Sequence, residues 1–173
     1  YGLDGHKNLF ALTAVTGEEL WVYRFDRNAM AKGAGRGLVY WEGAGSEGET
    51  LNYILVGLEH QLYAIDAISG NRVKAFGSDG SLDLRAGLDR PEGEVNVAAN
   101  TPGTLFGDLL IMGFATSEDY TATPGHIRAY RLPAGKLEWT FRTIPAAGEF
   151  GADTWPAENR DEHGGANAWA GMT

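Results

Sequence analysis

The chain has 173 residues, 43% of them hydrophobic and 21% charged, with a formal net charge of −9. These values describe a globular chain long enough to bury a core. The acidic balance argues against nucleic acid or an anionic membrane as partner. No cysteine is present, so a disulfide framework and a thiolate metal site are both excluded.

The chain opens with Asp4-Gly5 in "GLDGHKNLFAL", a hairpin signal ahead of an alternating segment at 8–12. A second strand follows in "EELWVYRF", 18–25. Next come "YILVGL" (53–58) and "QLYAID" (61–66), separated by a two-residue turn. "LLIMGF" (109–114) and "HIRAY" (126–130) repeat the pair with a longer insertion, and "KLEWTFRT" (136–143) completes it. The longest apolar run, Leu109–Ala115, is far too short to span a bilayer. Twenty-five glycines and 11% aromatics fit a turn-rich all-β chain.

Three of these segments share fixed internal spacing. Ala11, Ala64 and Ala129 are each followed six residues later by a glycine, Gly17, Gly70 and Gly135. Ten residues after the alanine stand Trp21, Lys74 and Trp139. The glycines lie 53 and 65 residues apart, which is a repeat architecture. Each unit reads as a small antiparallel sheet of about four strands, which is a β-propeller blade. The small alanine admits close packing, and the indole is expected to bridge to the neighbouring blade.

Open blades leave unpaired strand edges, and a propeller removes them by closing its ring. About three blades' worth of sequence is therefore expected to belong to a longer protein, or to self-associate through its open edges. The expected division is the end of one blade at 1–35, a second blade at 36–88 and a third at 89–150. A loop and the first strand of a further blade, "NAWAGMT", are expected at 151–173.

The repeat "A-x-D-x-x-[ST]-G-x-x-x-W" resembles the tryptophan-docking motif of quinoprotein dehydrogenases. "AIDAISG" (64–70) keeps the Asp and "ALTAVTGEELW" (11–21) keeps the Trp. "GRGLVYW" (35–41), "FGSDGSLDLRAGL" (76–88) and "DTWPAENRDEHGGANAW" (153–169) also resemble segments of that family, in the family's order. The resemblance implies an eight-bladed propeller that binds pyrroloquinoline quinone (PQQ) and a calcium ion. It further implies two-electron oxidation of a sugar, polyol or alcohol, electron transfer to a quinone or cytochrome, and a periplasmic location.

Residue by residue, the resemblance implies that Arg36 approaches the quinone oxygens, where a guanidinium polarises a carbonyl. Trp169 matches the aromatic floor beneath the planar cofactor. Asn100 and Thr101 match polar positions facing its carboxylates, and Ala115, Thr116 and Ser117 are expected to present backbone and hydroxyl donors. Glu118 falls where the family places a calcium ligand, with Asp119 a neighbouring alternative. The family's alcohol-oxidising branch carries adjacent cysteines where this chain has Met30 and Ala31, so the likeness is nearer the membrane-bound glucose and polyol branch. There a histidine covers the ring, and Lys32 stands at the matching position. The family's catalytic aspartate follows the matched segments, so no residue of this chain is assigned as catalytic base.

A different class of function also fits the repeats, a cofactor-free scaffold that binds other proteins; an inactive truncated product is a third reading. Arg36, Glu118 and Trp169 occurring together favour the enzyme family. The four histidines (His6, His60, His126, His163) show no metal-ligand spacing, and no nucleophile–base pair is evident.

Overall fold

A computed structural model describes residues 1–26, 36–158 and 160–172. Three consecutive antiparallel meanders account for all eleven strands of the described residues. The first contains β1 (Gly2–Leu3), β2 (Leu9–Leu12) and β3 (Glu19–Tyr23). The second contains β4 (Val39–Ala44), β5 (Thr50–Leu58), β6 (Gln61–Asp66) and β7 (Ser81–Asp83). The third contains β8 (Thr104–Phe106), β9 (Leu109–Met112), β10 (Ile127–Arg131) and β11 (Lys136–Phe141). No helix of the described residues is long and apolar enough to cross a membrane.

The repeat in the sequence is a repeat in geometry. Gly17, Gly70 and Gly135 all adopt φ of 72°, the left-handed region that a side chain disfavours. Each amide donates back four residues, to the carbonyl oxygens of Thr13, Asp66 and Arg131 at 2.8–2.9 Å. Ala11, Ala64 and Ala129 are all buried. In the first and third sheets the alanine sits directly opposite the tryptophan, Ala11 against Trp21 and Ala129 against Trp139. The ladder shifts register just after both alanines, a bulge that re-aims the strand end.

The second sheet departs from this plan. The chain after Gly70 makes only an isolated bridge, Arg72 against Ile65, and the outer strand is instead the short β7, which begins eleven residues after Gly70. With Lys74 exposed in place of Trp, Phe76 fills the gap between sheets and is fully buried. A Cβ on Gly135 would lie 2.6 Å from the Phe76 ring, and the Gly77 amide donates to the Ala134 carbonyl at 2.9 Å.

Strand β5 explains why the sheets stack. Its alternate residues face opposite sides. Leu55 enters the larger core with Leu62, Phe76, Leu110 and Phe114, whereas Ile54 packs with Leu9 and Ile65 toward the first sheet. Because both faces are covered, the strand reads as a continuous apolar run.

One local expectation is corrected. The Asp4-Gly5 signal does not form a two-residue turn. Asp4 Oδ1 accepts from the His6 and Asn8 amides, both at 2.8 Å, and Lys7 rather than Gly5 takes the positive φ of 63°. Side-chain acceptance by Asp4 stabilises the wider loop. The "NAWAGMT" segment forms no ladder among the described residues. Thr104 Oγ1 donates to the Met172 carbonyl at 2.5 Å, which ties the segment to the third sheet.

Candidate functional site

The residues singled out from the sequence meet at one end of the sheets, where β4 and β8 begin and β9 ends. Arg36 precedes β4, 98–101 precede β8, and 113–118 follow β9. Ala98 and Ala115 exchange both backbone hydrogen bonds, each at 2.9 Å, and so join the last two segments. Gly57 lets the first of these segments lie against β5, because a Cβ there would lie 2.5 Å from that of Ala99.

Arg36 closes the arrangement on the other side. Its amide donates to the Asn100 carbonyl at 3.0 Å, and its guanidinium carbon stands 4.5 Å above the centroid of the Trp169 ring. Trp169 is 44% exposed, with Arg36 standing over one face of its ring. Asn167, two residues before it, donates from Nδ2 to Thr116 Oγ1 at 3.1 Å. Arg36, Asn100, Ala115, Thr116 and Trp169 are thereby linked through one closed circuit of contacts. The sequence reading contained no role for Asn167, whose only signal was its place beside the glycine pair.

The individual donors differ from expectation. The Ala115 amide is engaged by Ala98, so it is not available to a ligand. The Thr116 hydroxyl donates to the Ser117 carbonyl at 3.1 Å, leaving it acceptor capacity only. Thr101 is 4% exposed and contributes packing rather than an open polar face. Ser117 and Glu118 are exposed, and they line a cleft of about 380 Å³ with Asp119, Tyr120, His163 and Asn167. Lys32, with Met30 and Ala31, lies outside the described residues.

A second cleft, of about 310 Å³, adjoins the first and shares His163 and Ile144 with it. On its wall Asp89 accepts from Arg142 Nε at 2.6 Å and lies 3.2 Å from His126 Nε2. The Arg142 hydrogen bond holds the Asp89 carboxyl below its ordinary value, against the opposing effect of partial burial. His126 is 3% exposed, and burial lowers its pKa despite the attraction of Asp89. Pairing raises the pKa of Arg142.

The residues fit a planar aromatic polyanion. A part-exposed indole provides stacking, and a guanidinium with no ion-pair partner among the described residues provides positive charge. They do not by themselves make a calcium cage. Calcium takes six to eight oxygens, and no group of three or more acidic or histidine side chains converges among the described residues.

The chain is similar to several bacterial dehydrogenases. It is 27% identical to the quinate/shikimate dehydrogenase (quinone) of Acinetobacter baylyi over 79% of this chain and 19% of that protein. It is 26% identical to the glycerol dehydrogenase large subunit of Gluconobacter oxydans over 100% of this chain and 24% of that subunit. Quinoprotein glucose dehydrogenase A of Acinetobacter calcoaceticus is 25% identical over 95% of this chain and 22% of its own length. The chain thus spans 19–24% of the length of these relatives. The crystal structure of quinohemoprotein alcohol dehydrogenase from Comamonas testosteroni shares the fold at a TM-score of 0.60 and 20% identity, over 83% of this chain and 19% of that one. Residues 1–173 match the PQQ family model described as "Glucose/ethanol/alcohol dehydrogenase, beta-propeller domain", and the chain belongs to that family of all-β quinoprotein dehydrogenase propellers.

Proposed function

We propose that this chain supplies one wall of the PQQ pocket in a dehydrogenase that oxidises a sugar, polyol or alcohol. The observation that carries the reading is the Arg36 guanidinium 4.5 Å above the ring of the part-exposed Trp169. Stacking on an indole rewards any flat π-system, and the adjacent cation selects an anionic one. The names of the relatives, which cover glycerol, glucose and quinate or shikimate dehydrogenases, support a hydroxylated small molecule as substrate.

When bound, the quinone supplies the two-electron acceptor for hydride from a carbinol carbon. Trp169 fixes the plane of the ring system. Arg36 places positive charge beside its oxygens, favouring the form with more negative charge on oxygen. Ser117 would offer its hydroxyl, which has no hydrogen-bond partner among the described residues, at the neighbouring cleft, in place of the Ala115 and Thr116 donors that the fold has already used. Asn100 and Thr101 hold the strand against which Arg36 is anchored. Glu118 is the carboxylate this chain would add to a calcium shell, the other ligands coming from further blades.

The wider reading has support in the outer surface. Trp139 is 39% exposed, and nothing lies within 4 Å of the position a Cβ would take on Gly17. These are the two unmatched halves of the contact that joins the described sheets. They support flanking blades as partners; a quinone or cytochrome as electron acceptor and a periplasmic location rest on the family resemblance alone. Equilibrium dialysis against PQQ tests the pocket. Binding should weaken by about tenfold in Arg36→Ala, the loss of one charge-assisted contact; equal binding by both proteins contradicts the assignment.

A further inference from the structure

Asn167 joins the two halves of the candidate pocket through a single side-chain relay. Its Nδ2 donates to Thr116 Oγ1 at 3.1 Å, and that hydroxyl donates on to the Ser117 carbonyl at 3.1 Å. At one end of the relay is the segment that carries Trp169; at the other are Ser117 and Glu118. The backbone around it is tightly seated. A Cβ on Gly113 would collide with the Ala168 carbonyl, and one on Gly125 would collide with the Gly165 carbonyl. The Gly165 amide donates to the Thr123 carbonyl at 3.0 Å. This seating brings the segments together, but the Asn167–Thr116 hydrogen bond is the polar side-chain link between them that fixes their relative setting.

We propose that Asn167 is a positioning residue that acts through Thr116 to set Ser117 and the Trp169 plane relative to each other. The proposal rests on the PQQ reading for its functional meaning, while the coupling itself is a property of the protein without cofactor. The donor capacity of Thr116 is committed in this arrangement, with its proton on the Ser117 carbonyl, and one of its lone pairs accepts from Asn167. Its hydroxyl is therefore a relay element and not a ligand donor. Removing either partner leaves the other half-buried polar group without its bond and frees the two walls to move separately.

The test is a double-mutant cycle on the ¹⁵N-labelled protein, comparing wild type, Thr116→Val, Asn167→Ala and the double variant. Thr116→Ser, which keeps the hydroxyl, serves as the conservative control. In the absence of cofactor, each single substitution should shift both the Ser117 amide and the Trp169 indole N–H resonances. The double variant should shift them no further, and Thr116→Ser should leave them near wild type. PQQ affinity, read from tryptophan quenching, should fall about 3- to 10-fold in each single variant and no further in the double. Additive shifts, or a Trp169 resonance that neither substitution moves, overturn the proposal. So does a lower Tm with unchanged affinity and unchanged shifts, the mark of a merely structural bond. Absence of quenching in wild type removes the PQQ reading alone, because the resonance cycle still decides the positioning role.

Discussion

Trp21 covers Gly70 of the neighbouring sheet. A Cβ on that glycine would lie 2.6 Å from the indole Cδ2, and the indole N–H donates to the Ala67 carbonyl at 3.1 Å. The tryptophan repeat is therefore an intersheet lock, in which an aromatic side chain of one unit closes on the turn glycine of the next. Gly70→Ala places a side chain both at φ of 72° and against the ring. The expected cost is about 2–4 kcal/mol in urea unfolding, combining the left-handed penalty with overpacking. Trp21→Ala together with Gly70→Ala should cost less than the sum of the two, because removing the indole relieves the clash.

Phe76 performs the same task between the second and third sheets. Phe76→Ala is expected to lose about 3–5 kcal/mol, as a fully buried aromatic does. Adding Lys74→Trp should not recover that loss, since Lys74 is exposed and Phe76 is the ring that meets Gly135. Thermal or urea unfolding of the single and double variants distinguishes these outcomes.

The elements were legible where one periodicity dominates. Alternation and the turn glycines located β2, β3, β5, β6 and β9–β11, because half-buried strands and left-handed turns each leave a local mark. The docking contact at Lys74 was not legible. Residues 74–76 form a turn and not a strand, so no alternation marks Phe76 as the aromatic that takes the place of the missing Trp. Arg128 was equally hidden, since a charged strand residue ordinarily faces water. Here it is 1% exposed, donates to the Leu84 and Ala86 carbonyls at 2.6 Å, and stacks on Phe114 at 5.0 Å. The meeting of Arg36 with Trp169 came from the family resemblance, because no local pattern links residues so far apart in sequence. Asn167 was missed because its partner, Thr116, lies 51 residues away, beyond any local pattern.

The Asp89–His126–Arg142 cluster gives a pH dependence with a definite sign. Folded His126 resists protonation below its ordinary pKa of 6.5, whereas the unfolded chain accepts the proton. Stability therefore declines as pH falls through 6.5 toward the lower folded value. Asp89 adds a second loss at lower pH. Its folded pKa lies below 3.8, so its contribution is full above 3.8 and disappears as pH falls through the folded value. His126→Gln should flatten the stability profile between about pH 7 and pH 5 and leave the loss below pH 4 in place. Urea midpoints across this range measure both phases; parallel profiles for wild type and His126→Gln contradict the assignment.

Glu118 provides a metal-specific check on the pocket. In a protein that carries the flanking blades, calcium should strengthen PQQ binding to wild type, and chelation should reverse the gain. Glu118→Gln should bind PQQ with an affinity that calcium changes by less than about twofold, since an amide oxygen lacks the charge calcium favours. Dialysis with and without chelator reads the difference. An undiminished calcium response in the variant would remove Glu118 from the shell.

The central claim is that Trp169 is the floor of a PQQ pocket. The most direct measurement is a fluorescence titration of wild type and Trp169→Leu with PQQ, in calcium-containing buffer. The account predicts saturable quenching in wild type and, in Trp169→Leu, loss of the saturable phase, with only the weak linear decrease of collisional quenching by the other four tryptophans. Saturable quenching of equal affinity in Trp169→Leu, or none in wild type, would contradict it.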